Sequence, residues 1–214
     1  SSHGDSVAEV IDYCIQLHPE AKCFRSHRYF DVTDVTHRFV ELGLRYDANV
    51  CTLLQQGIRP FLHESGLVRF PTFFEDGTYL FHRNELDFAA VAESLFLEPG
   101  LKVVGLHPMH LVMNSPNLPY SRRAKDAVSR AAWNTLAADD LRALRYGGWG
   151  VRDFVEQLLA FIRDRALPLF SLAELYAIET SGTTSGPSLI QGPETMDRQP
   201  PPDRGETTRL KPAA

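Results

Sequence analysis

Apolar residues recur at the spacing of amphipathic helices in the first 47 residues, and short β-type runs separate these helices. Helices are predicted at 7–17 and 33–42, because a residue that can cap a helix precedes the first apolar position of each. Strands are predicted at 21–25 and 44–47. An alternation of helix and strand with short connections is typical of a parallel sheet covered by helices, so the chain is predicted to be an α/β protein.

The same pattern continues to about residue 178. The run 101–106 is apolar and β-branched at its centre and predicts a buried strand, and the glycines of 146–150 predict a turn between two long helices. The other predicted elements are strand-like runs at 67–70, 72–74 and 167–170 and helices at 85–97, 121–136, 151–166 and 172–178. From residue 179, Pro, Gly, Ser and Thr dominate. The sequence therefore predicts one domain over 1–178 and a disordered tail over 179–214.

Charge and composition narrow the range of partners. The chain has 214 residues and a formal net charge of −5, so we expect no nucleic-acid partner and a neutral or polar substrate. No apolar run approaches the ~20 residues that cross a bilayer, so no membrane span is expected. The chain starts without the pattern of a signal peptide, and its three cysteines show no CxxC pairing, so a cytoplasmic location with free thiols is predicted. Composition leaves the oligomeric state open.

Histidines follow two of the predicted strands. His27 comes just after the strand 21–25 and its Arg25, and His107 and His110 come just after the strand 101–106. In parallel α/β proteins, catalytic and ligand-binding groups gather at the C-terminal ends of strands. A neutral imidazole can ligate a divalent metal, and a protonated one can donate to a leaving amine. Because a bound metal polarises an amide carbonyl and activates water, these strand ends predict a hydrolytic site.

Four motifs resemble those of a known enzyme family over residues 1–178. They are Arg25-Ser26-His27, Gly43-Leu44-Arg45-Tyr46-Asp47, Phe70-Pro71-Thr72-Phe73-Phe74-Glu75-Asp76 and Gly105-Leu106-His107-Pro108-Met109-His110. They are similar to segments of the polysaccharide deacetylases, which are related to carbohydrate esterase family four. The resemblance is to the divergent WbmS-like subgroup associated with lipopolysaccharide O-antigen loci.

The resemblance implies a fold and an activity. The fold would be a distorted, seven-stranded or incomplete (β/α) barrel whose N-terminal strand or strands precede Ser1. The activity would be a metal-dependent hydrolysis, with zinc as the expected divalent metal, that deacetylates N-acetylated sugars of a surface polysaccharide. Arg25 and His107 match the family's site arginine and general acid, so both are expected to be catalytic. His27 is the expected metal ligand.

The family's paired aspartates, which supply its base and a metal ligand, have no counterpart here. The first Asp-Asp pair, Asp139-Asp140, falls in a predicted helix and is expected to be a cap or a solvated face. Glu75 and Asp76 follow a predicted strand and form the best acidic pair for a substrate pocket. The alternative for Glu75-Asp76-Gly77 is an ordinary turn.

Three further residues are candidates for substrate contact. Tyr29 and Phe74 could lie under a sugar ring, and the alternative for both is a position in the core. His110, three residues after His107, could contact the same substrate.

Two other functions fit the same residues. A carboxylate-only glycosidase could use Glu75 and Asp47, and it would need no metal. A catalytically silent relative would bind carbohydrate or a partner protein and would tolerate the loss of His107 without a change in function.

Overall fold

The structure is a computed structural model, and it describes residues 4–83 and 86–181. Its strands are β1 Cys23–Phe24, β2 Tyr46–Asp47, β3 Phe61–Leu62, β4 Val68–Arg69, β5 Thr72–Glu75 and β6 Val103–Gly105. Its α-helices are α1 Val7–Leu17, α2 Thr33–Glu41, α3 Asp76–His82, α4 Phe88–Val91, α5 Pro108–Met113, α6 Leu118–Asp126, α7 Arg130–Trp133, α8 Ala138–Ala143, α9 Val151–Asp164 and α10 Leu172–Thr180. A 3₁₀ turn covers His27–Tyr29, and a π-helical turn covers Ala92–Phe96.

The strands are short and mostly parallel, which confirms the predicted α/β class. In the first sheet β1, β2 and β4 are parallel neighbours, and β3 pairs with β4 in the antiparallel direction. The second sheet pairs β5 with β6 in parallel. Pro71 separates β4 from β5, and because proline has no N–H the ladder is interrupted there. A parallel bridge from Cys51 to Thr72 carries the pairing across the break.

These sheets have four and two strands, and within the described ranges they do not close into a complete barrel. None of the helices in those ranges is long and apolar enough to cross a membrane. Residues 182–214, most of the predicted tail, lie outside the described part, and α10 ends at Thr180, two residues past the predicted end of the domain.

The main core is aromatic. Phe74 is 1% exposed and stacks on Phe154 at a centroid distance of 5.2 Å, with Tyr79 at the same distance on another side. Phe73 of the same strand is also fully buried, because β5 is covered on both faces. The prediction that Phe74 lies under a sugar ring is therefore wrong, and its side chain belongs to the core.

Three predicted elements differ from the structure. The predicted helix 121–136 is two helices: α6 ends at Asp126, and α7 begins after Ser129, which caps it by accepting a hydrogen bond from the Ala132 N–H. Of the predicted helix 85–97, the described residues 86–97 form α4 and the π-helical turn that follows it. The predicted strand 167–170 has no strand pairing, and Leu169 and Phe170 are exposed.

An Asn114 cap fixes the start of α9. Asn114 has a left-handed backbone at φ 49°, and its side chain accepts from the Arg152 N–H and donates to the Gly148 carbonyl and to Asp153. Gly150 packs so closely against it that a Cβ at position 150 would lie 2.1 Å from the Asn114 carbonyl oxygen. The backbone of residue 150 therefore has no room for a side chain.

We expect Gly150→Ala to lower the free energy of unfolding by about 1–3 kcal/mol, the usual cost of forcing atoms into a packed site. The control is Gly147→Ala, since a Cβ at Gly147 meets nothing within 4 Å. Urea denaturation of the two variants and the wild type measures the difference. Equal stability of the two variants would contradict the close packing at Gly150.

Candidate active site

The site lies where two parallel strands end side by side. Glu75, the last residue of β5, pairs in register with Gly105, the last residue of β6. Glu75 is also the N-cap of α3, and its side chain accepts a 2.5 Å hydrogen bond from the Thr78 N–H. His107 is the N-cap residue of α5, which begins at Pro108. Strand pairing and helix starts thus bring Glu75, Asp76 and His107 together, although 31 residues separate Asp76 from His107.

Two buried carboxylates hold the ring of His107 through one nitrogen. His107 Nδ1 lies 2.6 Å from Asp76 Oδ1 and 2.8 Å from Glu75 Oε1. The backbone N–H of His107 donates to Asp76 Oδ2 at 2.9 Å, and the N–H of Gly77 donates to Asp76 Oδ1. Because both side-chain neighbours of Nδ1 are acceptors, Nδ1 carries a proton. Nε2, on the other side of a ring that is 41% exposed, is left available for a substrate.

The cluster shifts the pKa of two of its members in opposite directions. Hydrogen bonds to Asp76 and Glu75 outweigh burial and raise the pKa of His107 to about 10. Burial alone would raise the pKa of Glu75, but hydrogen bonds from His107 and Thr78 prevail and lower it to about 2. At neutral pH the site therefore contains a protonated imidazole and an ionised Glu75.

The same residues could hold a cation. Donor atoms of Glu75, Asp76 and His107 all lie within 4.8 Å of one another, and they form the one such group of three within 4–83 and 86–181. Carboxylate oxygen and imidazole nitrogen are both ligands of zinc, so the donors fit a divalent ion in kind and in spacing. An ion bound to Nδ1 would replace the proton there and leave the ring a neutral imidazole, so His107 could not then be the imidazolium that donates through Nε2.

Arg25 approaches the cluster from β1. A Cβ built on Gly105 would lie 2.7 Å from Arg25 Nη1 and 3.3 Å from Glu75 Cγ, so the guanidinium passes directly over the glycine. The Arg25 Cζ lies 5.5 Å from the centroid of the Tyr29 ring, in a cation–π contact. Tyr29 is partly buried, and burial together with Cys51 and Glu75 raises the pKa of its phenol. Arg25 and Tyr29 therefore border the site.

His110 lies behind His107 and not at the surface. It is 5% exposed, and its ring meets that of His107 edge-on at a centroid distance of 5.5 Å. Its Nδ1 is 3.2 Å from Ser121 Oγ, which donates to Ser115 Oγ. The predicted substrate contact of His110 is therefore wrong for this arrangement, because its ring supports His107 from the interior.

His27 is outside the cluster. Its side chain is exposed in the 3₁₀ turn, and it belongs to no group of three metal-binding side chains in the described ranges. The predicted metal ligand is thus not among the residues that the structure brings together. Glu75 and Asp76 are buried partners of His107, and with it they form the group of three side chains that could hold a metal ion. Their contact with substrate stays a prediction. The spacing of Glu75 and Thr78, an N-cap and its third helical residue, fits the helix start at Asp76, but no local pattern indicated the contact with His107.

We expect Asp76→Asn to lower the pKa of His107 from about 10 toward the ordinary value, because the strongest acceptor at Nδ1 loses its charge. An NMR titration of the imidazole resonances in chelator-treated protein measures this change. Asp139→Asn, which removes an exposed carboxylate, is the control and leaves the titration of His107 unchanged. An unchanged pKa in Asp76→Asn would contradict the hydrogen bond between the two side chains.

Comparisons with known proteins place this site in a family. A sequence profile described as WbmS-like polysaccharide deacetylase matches residues 1–125, which include Arg25, Glu75, Asp76 and His107. A solved structure from Bordetella bronchiseptica, described as a polysaccharide deacetylase involved in O-antigen biosynthesis (WbmS), is similar with a TM-score of 0.62 and 28% identity. That match covers 75% of this chain and 64% of the WbmS chain. No curated protein sequence matches.

The profile match spans more than half of the 214 residues and contains the whole cluster around His107. The solved relative has the same α/β fold and bears the same family description. The chain belongs to the WbmS-like polysaccharide deacetylase family.

Proposed function

We propose that this protein is a metal-dependent hydrolase that deacetylates N-acetylated sugars of a surface polysaccharide, with His107 as the general acid. Family membership supports deacetylation of acetylated polysaccharide in general. The observation that carries the finer proposal is the placement of His107, whose Nδ1 is held by Asp76 and Glu75. This arrangement leaves the opposite nitrogen of a partly exposed ring to meet the substrate.

The residues of the chain have separate tasks in this proposal. Asp76 and Glu75 fix the ring of His107 and keep it protonated at neutral pH, so that Nε2 can donate to the nitrogen of the leaving amine. The backbone bond from the His107 N–H to Asp76 fixes the start of α5 and therefore the direction of the ring. The burial of both carboxylates excludes water from their side of the imidazole.

A divalent ion, which we expect to be zinc, would supply a polarised carbonyl and an activated water molecule when bound. With His107 acting as the acid, Glu75 and Asp76 are the described residues that would hold the ion. Their oxygens already accept hydrogen bonds from His107 and from the N–H groups at the start of α3, so a bound ion would have to displace some of these bonds. His27, the ligand expected from sequence, is the alternative metal ligand. Zinc titrations of variants at His27 and Glu75 distinguish the two possibilities.

Release of acetate from N-acetylated oligosaccharides tests the function. We expect the purified chain to release acetate and to lose most of this activity with a chelator, with recovery on adding zinc. A silent relative would release none, whereas a glycosidase would instead release reducing ends without any need for metal. The glycosidase alternative finds little support, because its second carboxylate, Asp47, is fully buried beside Arg69.

We expect zinc to bind to His107→Ala about as well as to the wild type, and to bind at least tenfold more weakly to Glu75→Gln, which loses a charged ligand. Calorimetric titrations of both variants and of His27→Ala measure the affinities. Loss of binding in His107→Ala would make His107 a ligand and remove it as the acid. Loss of zinc binding in His27→Ala alone would show that the ion binds at the exposed turn and not at Glu75.

A barrel architecture and a cytoplasmic location are also proposed for this protein. We keep a deacetylase-type (β/α) barrel as the expected architecture, which the TM-score of 0.62 to the solved relative supports. A cytoplasmic location also remains a prediction. The three cysteines, all free thiols, are compatible with a reducing compartment.

A further inference from the structure

Phe81 is an exposed aromatic residue on the helix that starts at the site. Among the Phe, Tyr and Trp side chains that the structure describes, that of Phe81 is the most exposed, at 66%. It lies on α3, which begins at Asp76, and its ring meets the ring of His82 edge-on at a centroid distance of 4.9 Å. A single exposed apolar residue is not unusual, so its position relative to His107 decides what it can do.

The packing of α3 determines which side of the helix carries Phe81. Tyr79 and Leu80 are 1% and 2% exposed, and Tyr79 packs against Phe74 of the core at a centroid distance of 5.2 Å. The opposite side of α3 therefore faces solvent. Gly77 and Phe81 are four residues apart, so they are neighbours on this solvent-facing side.

Gly77 brings this side of α3 next to the imidazole of His107. A Cβ built on Gly77 would lie 3.3 Å from His107 Cε1 and 3.2 Å from Glu75 Oε1, so the backbone of α3 passes close to the ring. Cε1 lies between the two ring nitrogens and is therefore bonded to Nε2, the nitrogen that is left for a substrate. Since Gly77 has no side chain, it places no atoms of its own between Phe81 and the imidazole.

Phe81 lies about one helical turn, ~5.4 Å, beyond Gly77 along α3. Long side chains on a helix are directed toward the turn that precedes them in the chain, so a ring at position 81 is directed toward the turn that contains Gly77. An apolar ring and the available nitrogen of His107 thus border the same short stretch of surface.

We propose that Phe81 stacks on the ring of the acetylated sugar and that Gly77 leaves the room for this sugar beside His107. One face of a pyranose presents mainly C–H groups, which are apolar and slightly positive, whereas the face of a phenyl ring is slightly negative. Stacking would also remove apolar surface of both rings from water. The inference rests on the proposed function and deepens it, because it names the side chain that recognises the sugar ring.

An NMR titration of the full chain with the methyl β-glycoside of N-acetylglucosamine tests the inference. A chelator is present so that no turnover occurs. A sugar that stacks on an aromatic ring lies in its ring current, so we expect the C–H resonances of the pyranose to move upfield on binding to the wild type. We expect Phe81→Ala to remove this upfield shift and to bind the probe about tenfold more weakly, because it loses the apolar area of one phenyl ring. Phe81→Tyr keeps the ring and should keep both the shift and the affinity.

Phe61→Ala is the matched control, because Phe61 is another exposed phenylalanine, 39% exposed, and lies on β3 at the edge of the first sheet. We expect this variant to bind the probe like the wild type. Absence of an upfield shift in the wild type, equal affinities of Phe81→Ala and Phe61→Ala, or loss of binding in Phe81→Tyr would overturn the inference. A wild-type dimer that Phe81→Ala alone dissociates would also overturn it, because a second copy of the chain would then cover the ring.

Acetate release keeps this test separate from that of the proposed function. Release of acetate with the same KM in Phe81→Ala and Phe61→Ala would refute the role of Phe81 and leave the deacetylase intact. An upfield shift that depends on Phe81, without release of acetate once zinc is restored, would refute the deacetylase and leave a sugar-binding surface.

Discussion

Replacing His107 with alanine is expected to lower kcat for deacetylation by about 10²–10⁴-fold, the usual contribution of a positioned general acid or base. The effect should fall on kcat more than on KM, because the proton is transferred in the transition state and the free ring nitrogen binds little of the substrate. Rates of acetate release at several substrate concentrations separate the two parameters. Circular dichroism verifies that the variant is folded.

The control for this variant is His18→Ala, because the side chain of His18 is 75% exposed beside Glu20 and lies outside the cluster. We expect His18→Ala to keep the wild-type rate. A His107→Ala protein that deacetylates at the rate of this control would exclude His107 as the acid. The silent-relative alternative predicts the same absence of effect, but there the wild type would be inactive as well.

Replacing Arg69 with methionine is expected to lower the free energy of unfolding by about 3–5 kcal/mol at pH 7, the cost of leaving a buried charge without its partner. Arg69 is 4% exposed, and it donates to both oxygens of Asp31, at 2.5 and 2.8 Å, and contacts the fully buried Asp47 at 3.2 Å. Methionine fills the space of the arginine side-chain stem, so the decrease in the free energy of unfolding measures mainly the removal of the charge. Urea denaturation measures it.

The decrease in the free energy of unfolding caused by Arg69→Met should be smaller at pH 4 than at pH 7. Burial raises the pKa of Asp47 to about 6, and the charge of Arg69 opposes this rise. A carboxyl whose pKa is higher in the folded state stabilises the fold at low pH, and this contribution to stability is lost as the pH rises through 6. Without Arg69 the pKa of Asp47 rises further, so the stabilisation by its protonated form is lost over a range that extends to higher pH. The hydrogen bond from Arg69 lowers the pKa of Asp31, whose stabilising contribution is present above its ordinary pKa and disappears in the variant.

Arg38→Met is the matched control for the buried pair. Arg38 also bridges two carboxylates, Asp12 at 2.9 Å and Glu41 at 3.0 Å, but its side chain is 38% exposed. An exposed ion pair contributes little because water screens it, so this variant should remain close to the wild type. Equal losses in Arg69→Met and Arg38→Met would mean that Arg69 does not stabilise a buried charge.

Sequence located the site but not the connections within it. His107 could be expected at a strand end because an apolar, β-branched run precedes it, and Arg25 could be expected in the same way. Glu75 and Asp76 were recognised as an acidic pair, but their contact with His107 depends on the pairing of β5 with β6. His27 and His107 occupy similar positions relative to their strands, and the local pattern did not show which of the two would lie beside the buried carboxylates.

Two aromatic residues show the same limit of local patterns. Phe74 and Tyr29 were both predicted from sequence to lie under a sugar ring. In the structure Phe74 is stacked inside the core, whereas Tyr29 supports Arg25 at the site. The difference arises because β5 is covered on both faces, whereas the turn His27–Tyr29 lies at the edge of the sheet. Alternation along one strand does not reveal how many layers will cover it.

Sequence alone determined the α/β class, the start of α1, the chain segment of α9 and the strand ends at which catalytic groups gather. These features depend on residues close in the chain, such as the capping box of Ser6 and Glu9 and the apolar periodicity of 151–166. Only the tertiary structure decided that Asp76 and Glu75 hold His107, that Arg69 joins Asp31 to Asp47, and that Gly105 makes room for Arg25. Those contacts join residues distant in sequence, and their geometry follows from strand register and packing, which no local pattern encodes.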